Sequence, residues 1–220
     1  MFTGIIQALG HIKRIEKQAA DSRFHIDTGS LDMATVKQGD SIAVNGVCLT
    51  AMKPTLNGFE ADVSGETLSK STLGMLAQGS KVNLEKALTL STPLGGHLVS
   101  GHVDGVGQII KRYSDGRSER FEVQAPAELA KYIAQKGSMC LDGISLTVNK
   151  ITGAMFELNI VPHTLDVTTM GQYQSGQKVN LEVDLLARYL ERLMLGDRAA
   201  EGSASGITEN FLKENGFTKE

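Results

Sequence analysis

The sequence predicts an all-β fold made of two small closed barrels in tandem, related by internal duplication and followed by one α-helix. Three observations support this fold class. The chain matches itself at an offset of 97 residues, and apolar and polar residues alternate over many short segments. In addition, 24 glycines and no tryptophan in 220 residues indicate frequent tight turns between short strands.

The repeat is the strongest of these signals. Residues 41–86 align with residues 138–183 without a gap, and 18 of the 46 pairs are identical. Lys81–Glu85 is repeated without change as Lys178–Glu182. A period this long indicates duplicated domains rather than a solenoid. We therefore predict an N-terminal barrel over 1–88, a C-terminal barrel over 89–184 and a helical segment over 185–220.

Within each repeat the strand signals are short. Ser41–Val44 runs into an Asn45-Gly46 turn, and Phe59–Val63 alternates apolar and polar residues, as half-buried strands do. About six such strands per repeat favour a closed barrel, because closure removes exposed sheet edges. Short helical stretches are predicted at Leu31–Lys37, Thr72–Ala77, Pro126–Gln135 and Val167–Tyr173.

The periodicity changes to that of a helix over 184–195. One face carries only apolar or aromatic residues: Leu185, Leu186, Tyr189, Leu190, Leu193 and Met194. Gly196 is expected to end this helix. A single amphipathic helix has no core of its own, so it must dock on a barrel or on copies of itself. A second short helix is predicted over Ile207–Asn215.

Composition excludes several classes of protein. Lys and Arg (22) nearly balance Asp and Glu (25) and form no basic stripe, so nucleic acid is not an expected partner. No apolar segment approaches the length of a membrane span, and no signal peptide is evident. Cys48 and Cys140 have no further cysteines or C-x-x-C spacing around them, which argues against a zinc site or a disulfide scaffold. We expect a cytoplasmic protein.

Several short motifs invite a chemical interpretation. Gly143–Thr147 suggests a serine nucleophile, but the second glycine of G-x-S-x-G is missing and the predicted context is strand–turn–strand. Ser145 and Thr147 share one strand face, as do Cys48 and Thr50, and such a face is either a wet outer surface or a ligand wall. The glycine-rich stretch 101–107 precedes no helix, so a phosphate cradle is not expected.

The histidines are more informative than these motifs. His97 and His102 flank four residues and have no nearby cysteine or carboxylate cluster, which favours hydrogen bonding or proton transfer over metal binding. His163 is ambiguous.

Differences between the two repeats point to a functional asymmetry. Ile5 aligns with His102, Cys48 with Ser145, and Ala87 with Asp184. Neutral drift would also produce differences. Under our hypothesis, however, one pocket has gained a carboxylate and an imidazole and the other a thiol, which suits a reaction in which two like molecules play different parts.

The sequence also resembles the riboflavin synthase family of the alpha-chain, lumazine-binding type over nearly its whole length. The motifs that carry the resemblance are Met1–Ile6, Asn45–Thr50, Gly95–Val103, Asp142–Val148, Pro162–Leu165 and Asp184–Tyr189. The one departure in these motifs is Ala51, where valine is usual.

The resemblance implies two six-stranded Greek-key barrels and a C-terminal helix that assembles a homotrimer. It implies a transferase that dismutates two 6,7-dimethyl-8-ribityllumazine molecules. A four-carbon unit passes from one to the other, giving riboflavin and 5-amino-6-ribitylaminouracil without a metal or redox cofactor. The active site would lie between the N-terminal barrel of one chain and the C-terminal barrel of its neighbour, and a lumazine synthase shell is a further expected partner.

The resemblance also assigns residues. The N-terminal pocket would be lined by Gly4, Ile5, Ile6, Cys48, Leu49, Thr50, Asp62, Val63, Ser64, Gly65, Glu66 and Thr67. The C-terminal pocket would be lined by Gly101, His102, Val103, Ser145, Leu146, Thr147, Val161, Pro162, His163, Thr164 and Leu165, and Lys136 would reach a neighbour's site.

The expected catalytic residues are Cys48, His102, Ser145, Thr147 and Asp184. His102 would assist proton transfer from the C7 methyl group of one lumazine. Ser145 and Asp184 would position a nucleophile at C7 of the other, while Cys48 or Thr50 would stabilise the adduct. Much of the rate would come from holding the two rings together.

Two other functions remain open at this point. A non-catalytic lumazine or flavin carrier on the same duplicated barrel is the first. It would be expected to lose polar groups in one pocket, and both pockets keep them. The second is a flavin-dependent reductase, which would need a nicotinamide-binding α/β domain that the sequence does not predict.

Overall fold

The computed structural model describes residues 1–200, and most of them form short antiparallel strands. The N-terminal half contains β1 (Ala8–Gln18), β2 (Asp21–Asp27), β3 (Ser41–Val44), β4 (Val47–Thr50), β5 (Met52–Thr55), β6 (Gly58–Val63) and β7 (Lys81–Lys86). The C-terminal half contains β8 (Gly105–Asp115), β9 (Ser118–Gln124), β10 (Ser138–Leu141), β11 (Ile144–Thr152), β12 (Met155–Ile160) and β13 (Lys178–Val183). The α-helices are α1 (Gly65–Lys70), α2 (Pro162–Val167) and α3 (Leu185–Met194), and 3₁₀ helices span Thr72–Met75, Ala127–Tyr132, Thr169–Gln172 and Gly196–Ala200.

The C-terminal half is a closed six-stranded barrel in the order β10-β11-β12-β9-β8-β13. Closure occurs where β13 pairs with β10, for example Val183 with Met139. Strands that follow one another, such as β9 and β10 or β12 and β13, are not neighbours, which is the Greek-key arrangement. The predicted barrel is confirmed here.

The N-terminal half has the same strand order, but one strand is divided. Its sheet runs β4-β3-β7-β1-β2-β6-β5, and β4 and β5 together correspond to the single strand β11. Only Ala51 separates them, so the two ends of this half-open barrel are consecutive in the chain. The irregularity follows from Lys53, which has a left-handed φ of 43°, and from Pro54, which has no N–H for the ladder.

Each barrel has its own apolar core. In β6 the alternate residues Phe59, Ala61 and Val63 are buried, and Phe156, Leu158 and Ile160 repeat this pattern in β12. The period-2 alternation in the sequence therefore identified the inward-facing side chains correctly.

A pseudo-twofold axis relates the two halves, and counterparts in the repeat meet each other on it. Phe2 pairs with Val99, its own counterpart, through N–H···O bonds of 2.7 and 3.1 Å in the two directions. The turns at Gly46 and Gly143 also lie against each other. Their approach is so close that a Cβ added at Gly46 would lie 2.7 Å from the Gly143 nitrogen.

The identical block of the repeat makes the contacts between the halves. Asn180 accepts a hydrogen bond from Thr72 N (2.7 Å) and donates one to Asn45 O (2.8 Å). Asn83 makes the equivalent bonds to Thr169 N and Asp142 O, at 2.8 and 2.9 Å. Because all these groups are buried, each hydrogen bond replaces one that water would otherwise supply.

The helix predictions were only partly right. Leu31–Lys37 is not helical; the segment consists of isolated turns such as Val36 N to Met33 O, and within these turns Leu31 and Met33 are buried. The other three predicted stretches contain 3₁₀ helices, and the α-helices α1 and α2 that precede two of them were not predicted. The C-terminal helix was predicted correctly, and Gly196 ends it with a left-handed φ of 54°. The helix predicted over 207–215 lies outside the described residues.

Arg112 shows where the two barrels depart from each other. Its guanidinium donates to the carbonyls of Gly171 (2.9 Å) and Tyr173 (3.0 Å) and to Glu119 (3.1 Å). It also lies over the ring of Phe121, 5.3 Å from the centroid. Ile15 occupies the equivalent position in the N-terminal half. Arg112 therefore holds residues 171–173, after α2, through hydrogen bonds that Ile15 cannot make in the first barrel.

We expect Arg112→Ala to lower the free energy of unfolding by about 2–3 kcal/mol, because two carbonyls and a carboxylate lose a charged donor. Urea denaturation measures the effect. Arg117→Ala, at the exposed tip of the same hairpin, is the control and should change stability by less than about 0.5 kcal/mol. Equal losses in the two variants would contradict the assignment.

Candidate active site

A buried carboxylate organises the first residues of the chain. Glu85, in β7, is only 2% exposed. It accepts hydrogen bonds from Thr3 N (2.7 Å), Thr3 Oγ1 (2.6 Å) and Gly4 N (3.0 Å). Burial raises the pKa of this carboxyl group, and the three donors oppose that rise. The donors fix the Thr3–Gly4 backbone against the sheet.

The same arrangement occurs in the second half. Glu182 accepts hydrogen bonds from Ser100 Oγ (2.7 Å), Gly101 N (2.9 Å) and His102 N (2.9 Å). Burial again raises the pKa of the carboxyl group. Neither glutamate was predicted as a site residue. The only signal in the sequence was that both belong to the identical Lys-Val-Asn-Leu-Glu block.

These two anchored segments cross to the opposite half. Gly4 O accepts from Ser145 N, and Gly101 O accepts from Cys48 N, each at 2.8 Å. The approach is close enough to require glycine. A Cβ added at Gly4 would lie 2.6 Å from Ser145 Cβ, and a Cβ added at Gly101 would lie 2.6 Å from Cys48 Cβ. We therefore call 3–6 and 100–103 the crossed segments.

The crossing differs from the grouping that the resemblance implied. That grouping placed Gly4–Ile6 with Cys48, and Gly101–Val103 with Ser145. In the structure Ile6 packs against the core of the C-terminal barrel and Val103 against that of the N-terminal barrel. The reason is that Phe2 pairs with Val99 on the boundary between the halves, so that each following segment continues onto the far side.

The cluster around Ser145 includes a histidine that was not among the predicted site residues. His97 Nδ1 lies 2.7 Å from Ser145 Oγ, and His97 N donates to Thr3 O at 3.1 Å. Burial lowers the pKa of His97, and the negative charge of Asp184 opposes that effect. Thr147 lies on the same strand, with an exposed side chain.

The cluster around Cys48 has a different composition. Cys48 is half-buried and packs with Phe2 and Val99, while Thr50 on the same strand is exposed. His102 is exposed and follows Gly101, whose carbonyl binds Cys48. Of the predicted catalytic residues, Ser145 and Asp184 thus share His97 as a neighbour, whereas His102 belongs to the crossed segment that contacts Cys48. The imidazole and carboxylate gained in the second repeat belong to different clusters.

Residues 62–67 form a turn into α1. Ser64 Oγ caps the helix by accepting from Thr67 N at 3.1 Å. Arg23 binds both oxygens of Asp62, at 2.7 and 2.9 Å, and this hydrogen-bonded pair lowers the pKa of the carboxyl group. Glu66 is exposed in the first turn.

The equivalent turn into α2 is built differently. Val161 stands at the N-cap, and Pro162 begins the helix with a φ suited to its first turn. His163 takes the position equivalent to Glu66 and is also exposed, whereas Leu165 packs against the barrel core. The two turns therefore offer different polar groups, a carboxylate and an imidazole.

Lys136 lies in a strained turn. Its φ is +67°, in the left-handed region, and its N–H donates to Val148 O at 2.7 Å. Gly39 holds the equivalent position with a φ of +96°. A lysine where glycine would fit costs roughly 1 kcal/mol. The side chain is exposed.

Comparisons with known proteins show relationships to both halves and to the whole chain. The model of the lumazine binding domain matches residues 3–87 and again 100–184. The riboflavin synthase of Photobacterium phosphoreum is 48% identical over 217 residues, covering 99% of each chain. That of Bacillus subtilis (strain 168) is 38% identical, covering 99% of this chain and all of the relative.

The chain belongs to the riboflavin synthase and lumazine-binding family. Among solved structures, LumP complexed with riboflavin has a TM-score of 0.76 and 27% identity, over 83% of this chain and 99% of LumP. LumP complexed with 6,7-dimethyl-8-(1'-D-ribityl) lumazine has a TM-score of 0.75 and, at 24% identity, supports the fold alone.

Two kinds of feature are absent from the described residues of this family member. Within residues 1–200, no group of three or more His, Cys, Asp or Glu side chains is arranged to hold a metal ion. No helix in the same range is long and apolar enough to cross a membrane.

This riboflavin synthase family member also has a buried polar pair on the pseudo-twofold axis that the sequence did not reveal. Asp142 accepts hydrogen bonds from Asn180 N (2.7 Å) and from the hydroxyl of Tyr173. Burial raises the pKa of Asp142 to about 7, against the effect of these donors. In the first repeat, Asn45 and Leu76 stand at the positions of Asp142 and Tyr173. The ionisable pair Asp142 and Tyr173 therefore occurs only in the second half and has no ionisable counterpart in the first.

We expect Asp142→Asn to remove a pH dependence of stability. The folded-state pKa of about 7 lies above the unfolded value near 4, so the folded protein binds the proton more tightly. Wild-type stability should therefore decrease as pH rises from about 4 to about 7, by at most roughly 1.4 kcal/mol per pH unit from this residue.

Urea denaturation at several pH values compares the two proteins. Asn45, which accepts from Asn83 N at 2.8 Å, is the natural precedent for an amide in this place. The variant should be the more stable protein above pH 7. Parallel pH profiles for wild type and Asp142→Asn would contradict the raised pKa.

Proposed function

We propose that the chain is a riboflavin synthase that dismutates two 6,7-dimethyl-8-ribityllumazine molecules. A four-carbon unit passes from one lumazine to the other, and the products are riboflavin and 5-amino-6-ribitylaminouracil. The observation that carries the proposal is the pair of related but unequal clusters, Cys48 with Gly101 and Ser145 with Gly4, in a chain 48% identical to a riboflavin synthase along its length.

The inequality of the clusters supports a division of labour between two identical substrates. One lumazine must lose a proton from its C7 methyl group, and the other must accept a nucleophile at C7. Ser145, Thr147 and Asp184 are proposed to bind and orient the nucleophile. Cys48, with Thr50, is proposed to stabilise the adduct, and His102 to assist proton transfer.

The remaining predicted residues are proposed to bind the ring and the ribityl chain. The crossed segments present backbone groups suited to the pyrimidinedione edge, as in a sheet ladder. Glu66 and the hydroxyl groups near it are the proposed ribityl contacts in one site, and His163 and Thr164 in the other. Asp62 already binds Arg23 through both oxygens, so it would contribute mainly as a fixed acceptor.

The proposed enzyme is a homotrimer in which Lys136 reaches a neighbour's site. Support comes from α3, whose apolar face includes Tyr189 (62% exposed), Leu190 (60%) and Leu193 (75%). Large apolar patches on a helix mark interaction sites. We also propose the domain division 1–88, 89–184 and 185–220, a cytoplasmic location consistent with two free cysteines, and an association with lumazine synthase.

Helix α3 provides a test of assembly. We expect Leu190→Glu to shift the protein from trimer to monomer, because a charge on the apolar face prevents its burial against other copies. Sedimentation equilibrium measures the mass, and Arg188→Glu, on the polar face of the same helix, is the control. A trimer that persists in Leu190→Glu would contradict the role of this face.

The function itself is tested by incubating the purified chain with 6,7-dimethyl-8-ribityllumazine and following riboflavin by fluorescence, with no cofactor added. The expected result is one riboflavin and one 5-amino-6-ribitylaminouracil for every two lumazines consumed. A lumazine that binds without being converted would instead identify a non-catalytic carrier, the function of the alternative.

A further inference from the structure

We propose that His97 is a positioning residue for the reaction, acting through Ser145. This inference rests on the proposed function, because it assigns a role within the site that binds the electrophilic lumazine. No role was assigned to His97 by the predicted set of site residues. It depends on three observations: the contact between the two side chains, the burial of the imidazole and its single polar partner.

The contact is short and both residues are held in place. His97 Nδ1 and Ser145 Oγ are 2.7 Å apart. The backbone of His97 is tied to Thr3 O at 3.1 Å, and that of Ser145 to Gly4 O at 2.8 Å. Both residues are thus hydrogen-bonded to the same crossed segment, and Glu85 holds that segment by accepting hydrogen bonds from Thr3 and Gly4. A side-chain hydrogen bond between two anchored residues sets the orientation of the hydroxyl group.

The ring has no other polar partner among the described residues. His97 is 8% exposed, and its Nε2 atom is buried without a hydrogen bond. An imidazole retained in a buried place, with one nitrogen unsatisfied, costs free energy that packing alone does not explain. An apolar residue of similar size would fill the space without that cost.

The tautomer of the neutral ring decides the direction of the hydrogen bond. Burial keeps His97 neutral near pH 7, and a neutral imidazole has one donor and one acceptor. We assign the proton to Nε2, so that Nδ1 accepts from Ser145. The lone pairs of Ser145 Oγ are then available to hold the nucleophile that adds to the lumazine. Protonation of His97 would make Nδ1 a donor and reverse this polarity.

The other cluster provides an internal comparison. At the offset of 97 residues, Met1 aligns with Leu98, so His97 lies outside the aligned part of the repeat. Ser145 has Cys48 as its counterpart: each contacts a glycine of a crossed segment, Gly4 and Gly101 respectively, and Ser145 in addition contacts the imidazole of His97. Asp184, whose charge acts on His97, has Ala87 as its counterpart. His97, Ser145 and Asp184, which distinguish this cluster from the one around Cys48, therefore lie close together.

The first experiment compares His97→Asn with His97→Leu in the full-length protein. Asparagine places an amide oxygen near the position of Nδ1 and does not titrate, whereas leucine fills space without an acceptor. We expect His97→Leu to lower kcat by roughly tenfold to a hundredfold with little change in KM. His97→Asn should keep most of kcat and should lack the fall in kcat at acidic pH that we expect for the wild type when His97 is protonated. Equal losses of kcat in the two variants, with an unchanged pH profile, would show a packing role only and overturn the proposal.

A double-mutant cycle tests whether the effect passes through Ser145. The loss from His97→Leu should largely disappear in a Ser145→Ala background, because the partner is already gone. In a Cys48→Ala background the same loss should persist in full. Additive losses with Ser145→Ala would overturn the proposal.

A spectroscopic measurement separates this proposal from the proposed function. Nitrogen NMR of histidine-labelled protein should show His97 as the Nε2–H tautomer, with Nδ1 shifted by its hydrogen bond, and the shift should change in Ser145→Ala. An Nδ1–H tautomer would overturn the proposal whether or not riboflavin forms. If instead the wild type converts no lumazine but shows the expected tautomer, the proposed function fails and the hydrogen bond remains without a catalytic role.

Discussion

Replacing Gly4 with alanine is expected to lower riboflavin formation by about a hundredfold and the free energy of unfolding by about 3 kcal/mol. Gly4 has a φ of +76°, which an alanine adopts only under strain. The added Cβ would also lie 2.6 Å from Ser145 Cβ and 2.8 Å from Ser145 N. The crossed segment must therefore move away from the strand that carries Ser145, and the proposed nucleophile site opens.

The control for Gly4→Ala is Gly116→Ala. Gly116 also has a positive φ, of 61°, but nothing lies within 4 Å of the position where its Cβ would be. This variant should lose about 1 kcal/mol through backbone strain and keep full activity. Steady-state kinetics and urea denaturation measure both quantities. If the two variants behave alike, the effect at Gly4 is conformational strain and the close approach to Ser145 has no separate importance.

The largest expected loss of stability follows from removing a buried glutamate. We expect Glu85→Ala to lower the free energy of unfolding by about 3–5 kcal/mol, because Thr3 and Gly4 would keep three buried donors without an acceptor. The first crossed segment should then detach, and riboflavin formation should be lost with it. Glu182→Ala should act in the same way on the second crossed segment.

Denaturation midpoints and turnover measured on the same samples test this expectation. Glu85→Gln keeps one acceptor oxygen and should lose distinctly less stability than Glu85→Ala. Glu128→Ala is the surface control, since Glu128 is exposed, and should change stability by less than about 0.5 kcal/mol. A Glu85→Ala protein with normal stability would show that water replaces the carboxylate and that the crossed segment does not depend on it.

The predictability of the fold differed between elements for physical reasons. Strands such as β6 and β12 were predicted because one face is buried, which imposes period-2 alternation on the sequence. Helix α3 was predicted because its apolar face recurs every three to four residues. The six-residue helices α1 and α2 were missed, since one and a half turns carry too little periodicity. Leu31–Lys37 failed because apolar spacing alone does not distinguish a helix from turns that bury single side chains.

The sequence predicts a set of candidate site residues but not how they are arranged. Ser145, Cys48 and Asp184 were selected as candidates because the repeat allowed each to be compared with its counterpart. His97 was not placed in that set, because its contact with Ser145, 48 residues away, forms only in the folded chain. Asp142 and Tyr173 were missed for the same reason: neither looks unusual until both are buried in one place.

The sequence by itself determined that the chain is a duplicated all-β protein, which strands face the cores, and which positions differ between the repeats. These properties follow from periodicity and from comparison along the chain. The tertiary structure alone decided which of the differing positions lie close together. Phe2 and Val99 pair on the axis and send each glycine-containing segment to the opposite barrel. Such pairing depends on contacts between residues about a hundred positions apart. Local patterns of hydrophobicity therefore do not predict it.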